Sequence, residues 1–93
     1  MTVKDYCLQI SKLLKETDNH EKSKAFIQLG SLYVTHKKEA LSNIKNIYGG
    51  MGSFNDLVLY KDGKIDIEAN EKFSALRENL YKAVLSEIIE LRS

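Results

Sequence analysis

The sequence predicts a mainly α fold of the α+β class, in which three N-terminal helices, a glycine-rich turn, one β-hairpin and a long C-terminal helix pack as a small bundle. Three observations predict it: apolar residues recur three and four positions apart over most of the chain, two short apolar runs flank an Asp-Gly pair, and three of the five glycines are clustered. With 93 residues, of which 43% are apolar, the chain is long enough for one hydrophobic core. We therefore interpret residues 1–93 as a single domain.

The first three elements are predicted to be amphipathic helices. Apolar spacing of three and four places the first helix over residues 3–16 and the third over 38–48. The second helix is expected over about residues 20–35, with an inward face made of Ala25, Phe26, Leu29, Leu32 and Tyr33. The polar run 17–20 is expected to supply capping oxygens for this second helix. Gly30 is expected to lie where a neighbouring helix crosses close to the backbone.

The second half of the chain is predicted to begin with a β-hairpin. Residues 57–60 and 65–67 are apolar or β-branched apart from Asp66, and they flank the turn Lys61-Asp62-Gly63-Lys64. Because an isolated hairpin is marginally stable in water, it is expected to lie on the helices. The last helix is expected from Asn70 or Glu71 to about Leu91, with an apolar face wide enough to leave an edge for another chain.

The most specific segment is Gly49-Gly50-Met51-Gly52-Ser53-Phe54-Asn55-Asp56. Glycine is used where the backbone needs a positive φ or where another group approaches closely. Gly49 occupies the position of a left-handed helix C-cap, so we interpret the segment as a helix stop followed by a tight turn. In this interpretation Phe54 anchors the turn in the core, and Ser53, Asn55 or Asp56 binds nearby backbone amides.

Charge and composition exclude several classes of protein. Fourteen basic and thirteen acidic residues nearly cancel, which disfavours a nucleic-acid partner. The single cysteine, Cys7, forms no intramolecular disulfide and fits a reducing compartment, so a cytoplasmic location is expected. The N-terminus lacks a signal pattern, and no apolar run approaches the roughly 20 residues that span a bilayer. We therefore expect no membrane insertion.

No motif in the chain fixes a reaction. Residues 60–68 resemble the middle of an EF-hand loop, but aligning Gly63 with its central glycine leaves the first carboxylates and the bidentate glutamate missing. The cysteine and the two histidines lack the paired spacing of a zinc site. Residues 50–52 give only the first half of a dinucleotide fingerprint and follow a helix instead of a strand. We expect no catalytic residues, no metal site and no cofactor, and hence no enzyme.

The string from Tyr48 to Leu59 resembles a family of small, uncharacterised bacterial proteins. They share the segment Gly-Gly-Met-Gly-Ser-Phe/Leu-Asn-Asp-Leu-Val-Leu between a helical hairpin and a C-terminal helix, and the resemblance extends from about Phe26 onward. It implies no enzymatic activity, and it carries over no catalytic or binding residues. By analogy, small one-domain proteins of this kind often accompany bacterial toxins as immunity proteins.

The leading functional hypothesis is a non-enzymatic protein-binding module, in its most specific form a bacterial immunity protein that neutralises a toxin domain. Its partner surface is expected to include Ser53, Asn55, Asp56, Asp62, Asp66 and Glu68. The near-neutral charge counts against this form, because inhibitors of basic nucleases are usually acidic. Two alternatives stay open: a small-ligand or catalytic site at the glycine segment, and a structural homo-oligomer, such as a homodimer, built on the wide face of the C-terminal helix.

Overall fold

A computed structural model of the protein describes residues 1–49 and 54–92. Its elements in chain order are α1 (Val3–Glu16), α2 (His20–Thr35), α3 (Lys37–Gly49), β1 (Tyr60–Lys61), β2 (Lys64–Ile65) and α4 (Ile67–Arg92). Helix α1 packs against α2 and α4, α2 also packs against α3, and α3 packs against α4. The four helices therefore close around one core, and the predicted mainly α bundle with a hairpin is confirmed.

All four helices contribute to this core, and the contribution of α2 is the buried Phe26. The fully buried large side chains of the core are Val3, Cys7, Ile10, Leu14, Leu41, Ile44, Leu59, Phe73, Leu80 and Val84. Helix α3 turns one face inward, since Ala40, Leu41 and Ile44 are buried while Ile47 and Tyr48 are half-buried. The apolar spacing of α3 is thus explained by its packing against α2 and α4.

Helix α1 has the bounds predicted from the apolar spacing, and its start is fixed by a capping box. The Thr2 hydroxyl accepts a hydrogen bond from the Asp5 amide at 3.2 Å, and the Asp5 carboxylate accepts one from the Thr2 amide at 2.8 Å. The hydrogen bond from the Thr2 backbone also holds the pKa of Asp5 below its usual value. Two donors that no helical carbonyl can reach are therefore satisfied.

The polar run between α1 and α2 closes the first helix and does not cap the second. The Thr17 hydroxyl donates back to the Leu13 carbonyl at 2.9 Å. Asn19, which precedes α2, makes no side-chain capping bond, and its Nδ2 donates to the Thr17 carbonyl at 3.0 Å. The prediction that this run supplies capping oxygens for the second helix is therefore wrong, because Thr17 and Asn19 are used at the C-terminus of α1.

The α1–α2 interface contains a small polar pair and a glycine. The Ser11 hydroxyl donates to the Ser23 carbonyl at 2.9 Å, and the Ser23 hydroxyl donates to the Ser11 carbonyl at 2.8 Å. A methyl group added at Gly30 would lie 3.8 Å from the Cys7 Cβ, so α1 approaches this glycine as expected. The buried residues of α2 are Ser23, Phe26 and Gly30, and the prediction that Ala25 faces inward is wrong.

The hairpin turns at Asp62 and Gly63, which have φ values of 53° and 79°. Two positive φ values in a two-residue loop are typical of the type I′ turn that Asp-Gly favours. The strands pair Tyr60 with Ile65 and Lys61 with Lys64. All four of these residues are exposed, whereas Leu59 directly before β1 is fully buried in the core. Only the base of the predicted hairpin therefore lies on the helices, and its tip does not.

The base of the hairpin is tied to the start of α4. The Leu59 amide donates to Asn70 Oδ1 at 2.9 Å, and Asn70 Nδ2 donates to the carbonyls of Leu59 at 2.9 Å and Asp66 at 2.7 Å. The Asp66 carboxylate accepts a hydrogen bond from the Ala69 amide at 2.9 Å, which is N-terminal capping. Helix α4 therefore begins at Ile67, and the prediction of a strand through this residue is wrong.

The buried thiol of Cys7 predicts a pH dependence of stability. Burial raises the pKa of Cys7 from 9.0 to about 12. Above about pH 9 the unfolded chain loses this proton while the folded chain keeps it, so the thiol lowers the free energy of unfolding by about 1.4 kcal/mol per pH unit. The contribution of the protonated Cys7 thiol to the free energy of unfolding is fully present below about pH 9 and is lost as the pH rises towards 12. Urea unfolding of the wild type between about pH 8 and 10 should show the decline.

The matched variant for this measurement is Cys7→Ala. It should show a smaller decline than the wild type between about pH 8 and 10, because only the wild-type chain has this buried thiol to ionise on unfolding. Equal slopes for the two proteins would show that the thiol does not ionise differently in the folded and unfolded chains.

Candidate functional site

Phe54, which follows the glycine run, is an anchor in the core, as predicted. It is buried, and its ring stacks on Phe26 with a centroid separation of 5.3 Å. The edges of Tyr48 and Phe73 complete the cluster at 5.1 Å and 5.5 Å. Three helices therefore contribute an aromatic ring to the packing of this one side chain.

Arg77 on α4 holds the backbone that carries Phe54. Its Nη1 donates to the carbonyls of Phe54 at 2.9 Å and Asn55 at 2.7 Å, and its Nη2 donates to the Ser74 hydroxyl at 3.2 Å. The guanidinium also lies 4.7 Å from the centre of the Phe73 ring. Because its charge is directed at carbonyl oxygens and an aromatic face, Arg77 fixes the position of this segment against α4.

Tyr48 joins α3 to α4 next to this segment. Its hydroxyl donates to the Arg77 carbonyl at 2.6 Å, and its ring lies 4.8 Å from that of Tyr81. Burial raises the pKa of Tyr48 above its ordinary value. The two tyrosines and Arg77 thus form a fixed wall on this side of the bundle.

An open groove of about 470 Å³ lies against this wall. We call it the tyrosine groove, and its lining residues are Lys45, Tyr48, Asn55, Ser74, Arg77, Glu78 and Tyr81. Its volume is in the range of ligand sites. It combines two aromatic rings with amide, hydroxyl and charged groups, and Asn55 places the end of the glycine segment at its edge.

The structure places the residues predicted for a partner surface at several separate positions. Asn55 lines the tyrosine groove and Asp56 is exposed directly after it, while Ser53 lies outside the described residues. Asp62 and Asp66 line a shallow depression on the hairpin.

The hairpin acids already have partners or neighbours of opposite charge. Lys61 and Lys64 line the same depression as Asp62, and the Asp66 carboxylate caps α4 as described above. Glu68 forms an ion pair with Lys72 at 3.2 Å. The described structure therefore does not bring these acids and Asn55 into one pocket.

A second polar cluster ties α2, α3 and α4 together. Lys37 Nζ lies 2.9 Å from Glu87 Oε1, and the Tyr33 hydroxyl donates to the same oxygen. Burial and the hydrogen bond to Glu87 raise the pKa of Tyr33, and the hydrogen bond to Glu87 raises that of Lys37. Tyr33, Lys37 and Glu87 find their hydrogen-bond and charge partners in one another. We therefore interpret the cluster as a structural contact between the three helices.

The described parts of the chain show neither a cluster of metal ligands nor a membrane-spanning helix. Over residues 1–49 and 54–92, no group of three or more His, Cys, Asp and Glu side chains is arranged to hold a metal ion. In the same ranges no helix combines the length and apolar character needed to cross a membrane.

Comparison with known families assigns the chain to a family. The profile of DUF6966, a domain of unknown function, matches residues 15–67, which is more than half of the chain. The protein therefore belongs to the DUF6966 family. The matched region runs from the end of α1 through α2, α3 and the hairpin, and it includes the wall residue Tyr48 and the anchor Phe54. No curated protein matches the chain, and no solved structure does.

Proposed function

We propose that this protein is a non-enzymatic module that binds a protein partner through the tyrosine groove. The observation that carries the proposal is the convergence of Tyr48, Tyr81 and Arg77 on one open surface. Tyrosine and arginine are the residues enriched at protein interfaces and at their energetic centres. Tyr81 is 37% exposed, so part of its ring is available to a partner.

The rigidity of the groove supports the same proposal. Arg77 is held by the carbonyls of Phe54 and Asn55, and Tyr48 is held by the Arg77 carbonyl. Binding to a surface that is already fixed costs less side-chain entropy than binding to one that must be ordered. The glycine segment would then act by delivering Asn55 and the Phe54 anchor to the groove.

For the partner, we propose a toxin domain, which would make the chain an immunity protein acting in the cytoplasm. The resemblance of residues 48–59 to a family of small bacterial proteins supports this proposal. The near-neutral charge favours a partner that is itself close to neutral, because strongly charged toxins are usually met by inhibitors of opposite charge.

A small-ligand site is the second candidate, and the volume of the tyrosine groove favours it. The groove holds the Asn55 amide and the Ser74 hydroxyl beside two aromatic rings, a composition that suits a small polar ligand. The third candidate, a homo-oligomer on α4, has support from the exposed side chains of Ile89 and Leu91. Light scattering that gives a strict monomer at high concentration would exclude this third candidate.

The proposed function predicts that Tyr81→Asp weakens partner binding at least about tenfold. Immobilised wild-type chain should retain one protein in stoichiometric amount from a lysate of the source cells, and the variant should retain at least about tenfold less, because a carboxylate replaces an interface ring. The matched control is Tyr60→Asp, since Tyr60 is 51% exposed on the hairpin and lies outside the tyrosine groove. Equal capture by Tyr81→Asp and the wild type would contradict the proposal, as would the absence of any stoichiometric partner. Circular dichroism should confirm that both variants are folded.

A further inference from the structure

The tyrosine groove continues into a second groove between α3 and the C-terminal half of α4. This second groove has a volume of about 400 Å³ and shares Lys45 with the first. Leu41, Ile88 and Leu91 form its apolar part. Leu41 is buried whereas Leu91 is 41% exposed, so apolar surface continues from the core to solvent. We call it the basic groove, because Lys38, Lys45 and Arg92 also line it.

The charge of the basic groove has one sign. The described residues that line it include three cations and no carboxylate. Ion pairs elsewhere in the described chain join Glu87 to Lys37, Glu68 to Lys72, and Glu78 to Lys82. These pairs do not involve Lys38, Lys45 or Arg92, over the ranges that the structure describes. The groove therefore offers positive charge beside apolar surface.

The two grooves together have the dimensions of a site for a short helix. They follow α3 from Lys38 to Tyr48, a distance of about 15 Å at 1.5 Å per residue. Three helical turns have this length. A helix laid along α3 and α4 would place one face on the half-buried Ile88 and the exposed Leu91, in the manner of an amphipathic helix in a hydrophobic groove.

We propose that the occupant of this surface is an acidic amphipathic helix of the partner protein. Its apolar face would cover the leucine and isoleucine side chains, and its carboxylates would face Lys38, Lys45 and Arg92. This inference rests on the proposed function and adds the chemistry of the segment that is bound. Among the described residues that line the two grooves there are four cations, Lys38, Lys45, Arg77 and Arg92, and one carboxylate, Glu78. Charge complementarity therefore argues for a carboxylate-bearing helix over a basic one, because like charges across an interface repel.

The proposal can be tested with designed peptides and the full chain labelled with ¹⁵N. The probe is a peptide of about four helical turns, with leucine on one face and glutamate beside it, and its counterpart carries lysine in place of glutamate. The acidic peptide should shift the amide resonances of Leu41, Lys45 and Leu91. It should bind at least about tenfold more tightly than the basic peptide, and added salt should weaken it.

Charge reversal gives the matched variants. Lys45→Glu should weaken the acidic peptide at least about tenfold and strengthen the basic one, because it replaces the cation common to both grooves. Lys24→Glu makes the same change at an exposed position of α2 outside both grooves and should leave both affinities unchanged.

Several outcomes would overturn the inference. These are equal binding of the two peptides, shifts confined to other surfaces, or no effect of Lys45→Glu. Anionic phospholipid vesicles that shift the groove resonances when the acidic peptide does not would assign the groove to a membrane surface. Shifts at the same residues that depend only on protein concentration would assign it to a second copy. A captured partner that is lost with Tyr81→Asp but contains no acidic amphipathic helix would overturn this inference and leave the proposed function intact.

Discussion

Replacing Phe54 with alanine is expected to lower the free energy of unfolding by about 3–5 kcal/mol. The ring is buried and contacts Phe26, Tyr48 and Phe73, so its removal leaves a cavity bordered by three helices. The loss is a large fraction of the roughly 5–15 kcal/mol that stabilises a typical domain. Urea unfolding followed by circular dichroism measures it.

Two further variants keep this prediction testable if the alanine variant does not fold. Phe54→Leu retains most of the apolar volume and should cost less than the alanine variant, although the contacts between rings are lost. Tyr60→Ala removes an aromatic ring that is exposed on the hairpin, and it should change the free energy of unfolding by less than about 1 kcal/mol. A cost for Phe54→Ala as small as that of Tyr60→Ala would mean that the segment after the glycines is not anchored in the core.

The sequence is sufficient to predict the helices where local signals act together. Helix α1 combines regular apolar spacing with a capping box at Thr2 and Asp5, and its predicted and observed bounds agree. The boundary at Ile67 is different, because Ile65-Asp66-Ile67 has the alternation of a strand while Asp66 is also a helix cap. Apolar spacing alone cannot decide between a strand and a helix at Ile67. In the structure the Ala69 amide donates to the Asp66 carboxylate, and this N-terminal cap places Ile67 in α4.

The candidate site was only partly predictable, because its contacts are distant in sequence. The glycine run drew attention to Asn55, which does line the tyrosine groove. Arg77 and Tyr48 are single residues on amphipathic helices, and no local pattern marks them as groups that hold another segment. The cations Lys38 and Lys45 face a groove only because α3 and α4 lie side by side. The charge of the hairpin acids predicts a partner surface, but nearby lysines and helix capping account for much of that charge.

The Arg77 side chain should be the second largest contributor to stability among the residues of the site. We expect Arg77→Met to lower the free energy of unfolding by about 2 kcal/mol, because the carbonyls of Phe54 and Asn55 lose a charged donor. Methionine keeps most of the apolar packing of the arginine side chain on the neighbouring residues. Urea unfolding measures the global effect, and amide hydrogen exchange at Phe54 and Asn55 should become faster than in the wild type.

Two further variants, Arg77→Lys and Lys45→Met, separate the effect of the Arg77 hydrogen bonds from the effect of its charge. Arg77→Lys retains the charge but not the planar fork that reaches two carbonyls and Ser74, so it should recover only part of the loss. Lys45→Met removes a cation that lines the same groove without a hydrogen bond to the segment in the described structure, and it should cost less than about 0.5 kcal/mol. If Arg77→Lys were as stable as the wild type, charge near the groove would be sufficient and the fork geometry would not matter. If Arg77→Met were also unchanged, the aromatic contacts of Phe54 alone would hold the segment in place.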